Sequence, residues 1–349
     1  MKDFWPGVTL ICDSNKNRTN LAFEELNQVQ PLSLTNVKTF VMGNFNSSIF
    51  NAFKKVLDSV SYLCVSNTSL DDNIANELVQ CKNLRALNVS KTLISDFGIL
   101  TLCGFRQTKS GETSYEIKAS LFDIEIFDIS NNLNVSKNCW QFLKGLPKLR
   151  ILVTSYVDEY CPDVESFQKL LDLESLTCLC LDSSNSPGAV ISALNTSDSN
   201  LKSLSYKFCE LRDFDLLRLN SSIGFQNLSF LKMSSVFITD NGIDSVCKYL
   251  KNLIILDIGG CKNLTDVSLA NIFQSLEKLK VLCVNGCNRM TATQLSKMRE
   301  QSKDCVIKSD FPLSNPVLGK ITEETLREVL FSYHFVTNGF SEIQNFSVI

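Results

Sequence analysis

The sequence predicts an α/β fold, a right-handed solenoid with a parallel sheet on its concave side and helices on its convex side. Three observations predict it. Leu253-Ile-Ile-Leu-Asp-Ile-Gly-Gly-Cys261 and, 26 residues later, Leu279-Lys-Val-Leu-Cys-Val-Asn-Gly-Cys287 both read L-x-x-L-x-[IV]-x-x-C. The same frame fits most of the chain, starting at Val60, Leu84, Ile124, Leu149, Leu176, Leu201, Leu228, Leu253 and Leu279. Apolar residues at helical spacing follow the strand half of a turn, as in Ile243, Val246, Cys247 and Leu250, or Ile272, Phe273 and Leu276.

One strand and one helix repeated at this period, with this consensus, is a leucine-rich repeat. Positions four and six of the frame alternate with outward residues, so they face the interior of a short strand. They are Leu63 and Val65, Leu87 and Val89, Phe127 and Ile129, Leu179 and Leu181, Leu231 and Met233, Leu256 and Ile258, Leu282 and Val284. Position nine turns inward where the strand ends and must satisfy backbone groups left open at the bend. It holds Thr68, Thr92, Asn132, Ser184, Cys209, Cys261 and Cys287, whereas Val157 and Val236 depart from the pattern. Gly259-Gly260 and Gly286 lie just after strands, where a tight bend needs glycine. Asp96, Asp240 and Asp266 stand where an N-cap is wanted.

In chain order, residues 1–36 read as an N-terminal cap with a short helix near Leu21–Leu26. Residues 37–310 form the array of nine or ten turns, opened by a degenerate turn at Val37, Phe40 and Met42. Leu84 to Ile124 is an overlong step, which places an inserted polar loop at about residues 105–120. Inserted loops map to one face of such an array. Pro312 and Pro316 stop the repeats. Residues 311–349 then cap the array or begin a helical domain. Thr322-Glu-Glu opens a helix with its acidic residues in the first turn, and Leu326, Val329, Leu330 and Tyr333 make one apolar stripe.

Composition restricts the function. Of 349 residues 44% are hydrophobic, which excludes general disorder, and a net charge of −3 gives no footprint for nucleic acid. No apolar stretch is long enough to span a membrane. The N-terminus lacks a signal-peptide pattern, so the fourteen cysteines are expected to be reduced thiols of a cytoplasmic or nuclear protein. Ten N-x-[ST] sequons, among them Asn67, Asn88 and Asn263, keep a secreted glycoprotein as a minor alternative.

No catalytic constellation, phosphate-binding loop or cofactor motif occurs. His334 is the single histidine and reads as structural. Cys178-x-Cys180 supplies half a tetrahedral zinc site at unusual spacing, and the frame puts Cys283 and Cys287 on opposite faces. The sequence therefore predicts no enzyme, no metal and no cofactor. Solenoids of this kind bind through an extended surface. Outward strand positions include Tyr62, Cys64, Asn88, Asp128 and Cys283, and the candidate contacts with a protein partner are Tyr156, Lys207, Phe208, Phe230, Lys232 and Asp257.

The cysteine at position nine followed by Leu264-Thr-Asp266 resembles the cysteine-containing leucine-rich repeat of F-box proteins. The run from Leu250 to Asp266, with Gly319-Lys-Ile-Thr-Glu-Glu-Thr-Leu-Arg-Glu-Val-Leu-Phe-Ser-Tyr333, is similar to the Zyg/Zer family. That resemblance implies a substrate receptor of a cullin-RING ubiquitin ligase, with elongin and cullin subunits as partners. The alternative is a free-standing leucine-rich repeat binding module. Two departures stand out. The family's elongin-binding helix needs a Leu and a Cys at wider spacing than Thr9-Leu-Ile-Cys12 provides, and its armadillo-like domain would begin near Thr322, so no degron-binding residue carries over. The frame makes two further predictions: Leu256→Ala costs about 2–5 kcal/mol, and Lys232→Ala, outward on the face, costs almost nothing.

Overall fold

Short β-rich runs of the L-x-x-L frame become strands, and the computed structural model shows how they stack. It describes residues 8–12, 37–42, 57–107, 113–155, 163–182, 187–207, 210–221, 223–235, 237–302 and 304–310. The chain divides into two compact units, Met1–Asp158 with Phe340–Ile349, and Glu159–Gly339. The expected helices at Leu21–Leu26 and from Thr322, with His334, lie outside the described residues, as do Val157, Ser184 and Val236.

In the first unit the strands are β1 (Val8–Cys12), β2 (Val37–Met42), β3 (Tyr62–Cys64), β4 (Ala86–Asn88), β7 (Ile126–Asp128) and β8 (Ile151–Val153), each parallel to the next. Thr9-Leu-Ile-Cys12 is thus strand, paired with β2. Between β4 and β7 the inserted residues are not a plain loop. Strands β5 (Cys103–Gln107) and β6 (Thr113–Ser120) pair as an antiparallel hairpin. Its root is fixed by packing: Phe105 meets the Phe142 ring at 5.0 Å. A Cβ on Gly145 would lie 1.9 Å from the Cys103 carbonyl oxygen, so only glycine fits there. Helices α1 (Asp72–Leu78) and α2 (Asp96–Leu102) pack on each other, and a 3₁₀ helix spans Lys137–Gly145.

In the second unit β9 (Cys178–Cys180), β10 (Ser203–Lys207), β11 (Phe230–Ser234), β12 (Ile255–Asp257), β13 (Val281–Cys283) and β14 (Val306–Lys308) form a parallel ladder. Its helices are α3 (Val164–Leu171), α4 (Pro187–Leu194), α5 (Asp213–Leu216), α6 (Ile223–Gln226), α7 (Asp240–Tyr249), α8 (Asp266–Ser275) and α9 (Ala292–Gln301).

The core is a column of middle-strand residues in register. Leu63, Leu87, Phe127 and Leu152 align in the first unit, and Leu179, Leu204, Leu231, Leu256, Leu282 and Ile307 in the second, all buried. Ile243, Val246, Cys247, Leu250, Ile272 and Leu276 close it from the helical side, while Phe273 is only half-buried.

Three polar ladders tie one turn to the next. First, side chains at position nine hydrogen-bond to the backbone of the bend. Thr92 Oγ1 donates to the Val89 carbonyl at 2.9 Å, Asn132 Nδ2 donates to the Val89 and Ile129 carbonyls, each at 3.0 Å, and Cys287 Sγ donates to the Ile258 carbonyl at 3.2 Å. The preceding residue is left-handed at five of these bends: Asn67, Lys91, Asn131, Gly260 and Gly286 have φ of 58°, 55°, 58°, 87° and 74°. Second, the asparagine before a frame leucine reaches back one turn: Asn83, Asn200, Asn227 and Asn252 donate to the carbonyls of Asp58, Glu174, Ser199 and Gln226.

The third ladder corrects the sequence reading. The N-caps are Ser95, Thr239 and Thr265, and the aspartates one residue later are the first helical residues. Their carboxylates leave their own helix and take the N–H and hydroxyl of the next turn's N-cap. Asp72 does this to Ser95, Asp96 to Ser136, Asp213 to Thr239, Asp240 to Thr265 and Asp266 to Thr291, at 2.5–2.9 Å. One carboxylate thereby satisfies two donors at a helix start and adds negative charge where the helix dipole favours it.

Candidate interaction surface

Residues flanking the core column point to the open, helix-free face of the sheet. In the second unit they form two rows. One runs Cys178, Ser203, Phe230, Ile255, Val281 and Val306, and the other Cys180, Ser205, Lys232, Asp257, Cys283 and Lys308. The structure places Phe230, Lys232 and Asp257 together there, but they are buried (1%, 6% and 8% exposed), not laid open as the sequence suggested. Strands about 4.8 Å apart bring such side chains into lateral contact. Phe230 and Ile255 form an apolar cluster with Ile254 and Val281 against it. Lys232 Nζ lies 3.6 Å from Asp257 Oδ2, and Asp257 Oδ1 accepts the Gly259 N–H at 3.0 Å. Lys232 is thus half of a buried ion pair, so the expectation that Lys232→Ala is nearly silent is withdrawn. The rows open only at their end, where Val281 and Val306 are half-buried and Lys308 is exposed. Tyr156, Phe208 and Cys209 lie outside the described residues, and Lys207 ends strand β10.

The first unit's open face is apolar on one row, with Tyr62, Ala86, Ile126 and Ile151, and mixed on the other, with Cys64, Asn88, Asp128 and Val153. Asp128 is 5% exposed and accepts the Ser130 N–H at 3.0 Å and hydroxyl at 2.5 Å, both on Oδ1. Burial pushes its pKa from 3.8 up to about 6, against the hydrogen bonds from Ser130 and the charge of Lys91. Burial likewise raises Tyr62 and Cys64, and the Asp128 charge adds to both shifts. Asn88 is 3% exposed and its Oδ1 accepts the Ser90 N–H, so this sequon asparagine is no glycan acceptor in the folded chain.

A second surface escaped the sequence reading. Leu93, Phe97 and Leu133 in the first unit are 58%, 49% and 97% exposed, and Phe214, Leu217, Phe237 and Val267 in the second are exposed as well. Within each unit most of them lie just before a helix or in its first turn, and Leu217 is the C-cap of α5. The Arg212 guanidinium sits 4.5 Å from the Phe237 ring centroid, and that of Arg218 lies 5.8 Å from Phe214. Asp215 beneath them is held above the usual carboxylate range by burial, opposed by its bond to the Arg212 N–H and by both arginine charges. A partial signal existed: Asp96-Phe97, Asp213-Phe214 and Asp266-Val267 place an apolar residue just after the linking aspartate, whereas Asn73 and Asn241 follow Asp72 and Asp240.

The cysteines behave as small core residues. Cys178 and Cys180 are both on the open face and buried, Cys283 is outward and Cys287 inward, and Cys261 donates to the Met233 carbonyl. Burial raises Cys261 to about 11 and Cys287 to about 12. Among the described residues no group of three or more potential ligands could hold a metal, and no helix is long and apolar enough to cross a membrane. An apolar cavity of about 30 Å³ in the second unit is lined by Leu204, Tyr206, Leu231 and Met233 and offers no polar surface.

No protein-family model and no curated protein matches the chain. Among solved structures, a chain in the crystal structure of the Rad7 and Elc1 complex in yeast aligns with a TM-score of 0.54 and 18% identity, covering 81% of this chain and 73% of that one. An internalin, inlF from Listeria monocytogenes, aligns with a TM-score of 0.40 and 16% identity over 80% of this chain and 82% of its own. The first likeness bears on fold, and it agrees with the register and ladders above: the chain has the α/β fold of a leucine-rich repeat protein.

Proposed function

We propose that the chain is a non-enzymatic module that recognises another protein, and that it does so as a substrate receptor of a cullin-RING ubiquitin ligase. The exposed apolar surface carries the first part. Its aromatic side chains are backed by arginines, the residue types that dominate binding energy at interfaces, and no packing need of the chain keeps them at the surface. The accessible end of the open face, Val281, Val306 and Lys308, adds to it, with Phe230, Lys232 and Asp257 forming the floor. The ligase assignment is supported by the resemblance to the Zyg/Zer family and by a structural neighbour that is itself one member of a two-protein complex. It implies a cytoplasmic or nuclear location. A second reading, a free-standing binding module, is favoured by β1: Thr9–Cys12 is extended where an elongin-binding helix would be needed.

Affinity purification of the full-length gene product from its native cells separates the two. Elongin and cullin subunits recovered with the wild type establish the receptor, and absence of both leaves the free-standing module. Phe214→Asp with Phe237→Asp should release the bound substrate while Tm stays within a few degrees of wild type. Retention of every partner by that variant would remove these residues from the interface.

A further inference from the structure

Asn285 and Gly286 form an asparagine–glycine pair in the bend after β13. This pairing is open to a reaction of the chain on itself, because no side chain on the glycine shields its nitrogen from the asparagine Cγ. In that reaction the Gly286 nitrogen gives its proton to water and bonds to Asn285 Cγ. The Cγ–Nδ2 bond breaks, and that nitrogen takes up a proton and leaves as ammonia. Water then opens the cyclic imide to an aspartate or isoaspartate at position 285. Asn285 is exposed, so water reaches it. The bend holds both reacting groups in an unusual way. At the other position-nine bends with a left-handed residue, the N–H of that residue donates to a backbone carbonyl one turn on. Asn67 donates to Ser90, Lys91 to Ser130, Asn131 to Ser155 and Gly260 to Asn285, at 2.7–3.0 Å. Gly286 is the exception among the described residues. Its N–H goes to the Asp310 side chain, with Oδ2 at 2.5 Å, and Asp310 Oδ1 accepts from Asn285 Nδ2 at 3.2 Å.

One carboxylate thus clasps the nucleophile and the leaving group together. Asp310 lies two residues past Lys308, the register partner of Cys283, so the clasp ties the bend after β13 to the end of β14. The Val284 N–H donates to the Lys308 carbonyl at 2.8 Å and the Gly260 N–H to the Asn285 carbonyl at 2.7 Å, which pins the backbone on both sides. Each bond opposes the reaction. A negative charge against the Gly286 N–H disfavours the anion that must attack. A carboxylate that accepts from Nδ2 feeds electron density towards Cγ and makes that carbon a poorer electrophile. Attack also needs the Asn285 side chain to swing onto the Gly286 nitrogen, and two bonds with a pinned backbone resist that approach. We infer that Asn285 is a deamidation site of this chain, which Asp310 keeps closed. The product carries a carboxylate at position 285 where an amide had donated to Asp310, and two like charges repel at that separation. Deamidation therefore opens the clasp irreversibly. Asn241-Gly242 supplies an internal control. It lies in the first turn of α7, and its Gly242 N–H donates to the Thr239 carbonyl at 3.1 Å.

The test follows Asn285 by peptide mass mapping while the whole chain stands in neutral buffer. In the folded wild type it should convert more slowly than in the same chain unfolded in guanidinium chloride. Asp310→Ala should speed conversion in the folded protein by at least about tenfold, because a hydrogen bond to a charged acceptor no longer has to break first. Asp310→Asn keeps the shape and removes the charge, and it should give a smaller rise in the same direction. Asn241 should stay unmodified in all three proteins. Hydrogen exchange at the Val284 amide reports whether β13 and β14 remain paired, and if alanine loosens them the asparagine variant decides. Equal rates at Asn285 in the wild type and the deciding variant overturn the inference. Slower conversion in the variants overturns it too, and would make Asp310 a base that promotes the reaction.

Discussion

Asp240→Ala tests the linkage between turns most directly. Asp240 Oδ1 accepts the Thr265 N–H at 2.9 Å, Oδ2 accepts the Thr265 hydroxyl at 2.6 Å, and the Ser268 hydroxyl closes on Oδ1 as well. Hydrogen bonds to a charged acceptor contribute about 1.5–3 kcal/mol net each, and a part-buried N–H left unpaired costs about 1–3 kcal/mol. The three bonds share one carboxylate and are not additive, so the substitution should cost about 2–4 kcal/mol. Asp240→Asn keeps one acceptor and should cost about half as much. Thr265 still caps its own helix through the Val267 N–H, so helix α8 should persist. The measurement is the urea midpoint followed by circular dichroism, with the slope checked for constancy. A loss below about 0.5 kcal/mol for Asp240→Ala would refute the view that these carboxylates hold the stack. The pH dependence gives an independent arm. Burial acts to raise the Asp240 pKa, but the hydrogen bonds from Ser268 and Thr265 outweigh it and hold the pKa below the usual value. A depressed folded pKa means stability present above the unfolded carboxylate pKa and lost as pH falls through the folded one. The wild type should therefore lose more stability than Asp240→Asn when acidified below about pH 4.

Four further outcomes follow from the same geometry. Leu256 is fully buried in the core column, and Leu256→Ala should lower stability by about 2–5 kcal/mol in urea unfolding. Lys232→Ala strands the buried Asp257 carboxylate and should cost about 1–3 kcal/mol in the same assay. Asp128 has the opposite sign to Asp240: its folded pKa of about 6 is raised, so stability should fall as pH rises from about 4 to 6, by up to about 3 kcal/mol, and Asp128→Asn should flatten that slope in urea midpoints taken across the range. Lys91 has φ 55° and an exposed side chain, so Lys91→Gly should raise Tm, by the equivalent of roughly 0.5–1 kcal/mol.

The sequence made the strand half of each turn legible because its signal is local. Leu256, Ile258 and Cys261 obey a spacing that only a short strand and an inward bend satisfy, and the structure puts all three where that spacing says. The linking aspartates were misread for a physical reason. An aspartate at a helix start looks like a cap in one dimension, and only stacking shows that Asp240 serves Thr265 of the following turn. The insertion at 105–120 carries Gly and polar residues, as loops do, and its hairpin depends on Phe105 finding Phe142, a contact 37 positions apart that no local pattern reports. Alternation likewise tells which side of a strand Phe230 and Lys232 occupy but not their exposure, which is settled by what the neighbouring strands put beside them.

Filling the inward bend with cysteine has a chemical outcome separate from architecture. Cys261 and Cys287 are held as protonated thiols by their surroundings, and it is the thiolate that peroxides and disulfides attack. Oxidants should therefore find these sulfurs unreactive for as long as the bends stay closed. A protein rich in cysteine can in this way be chemically quiet, its sulfur used for size and a weak hydrogen bond, with reactivity returning only in molecules that have begun to unravel.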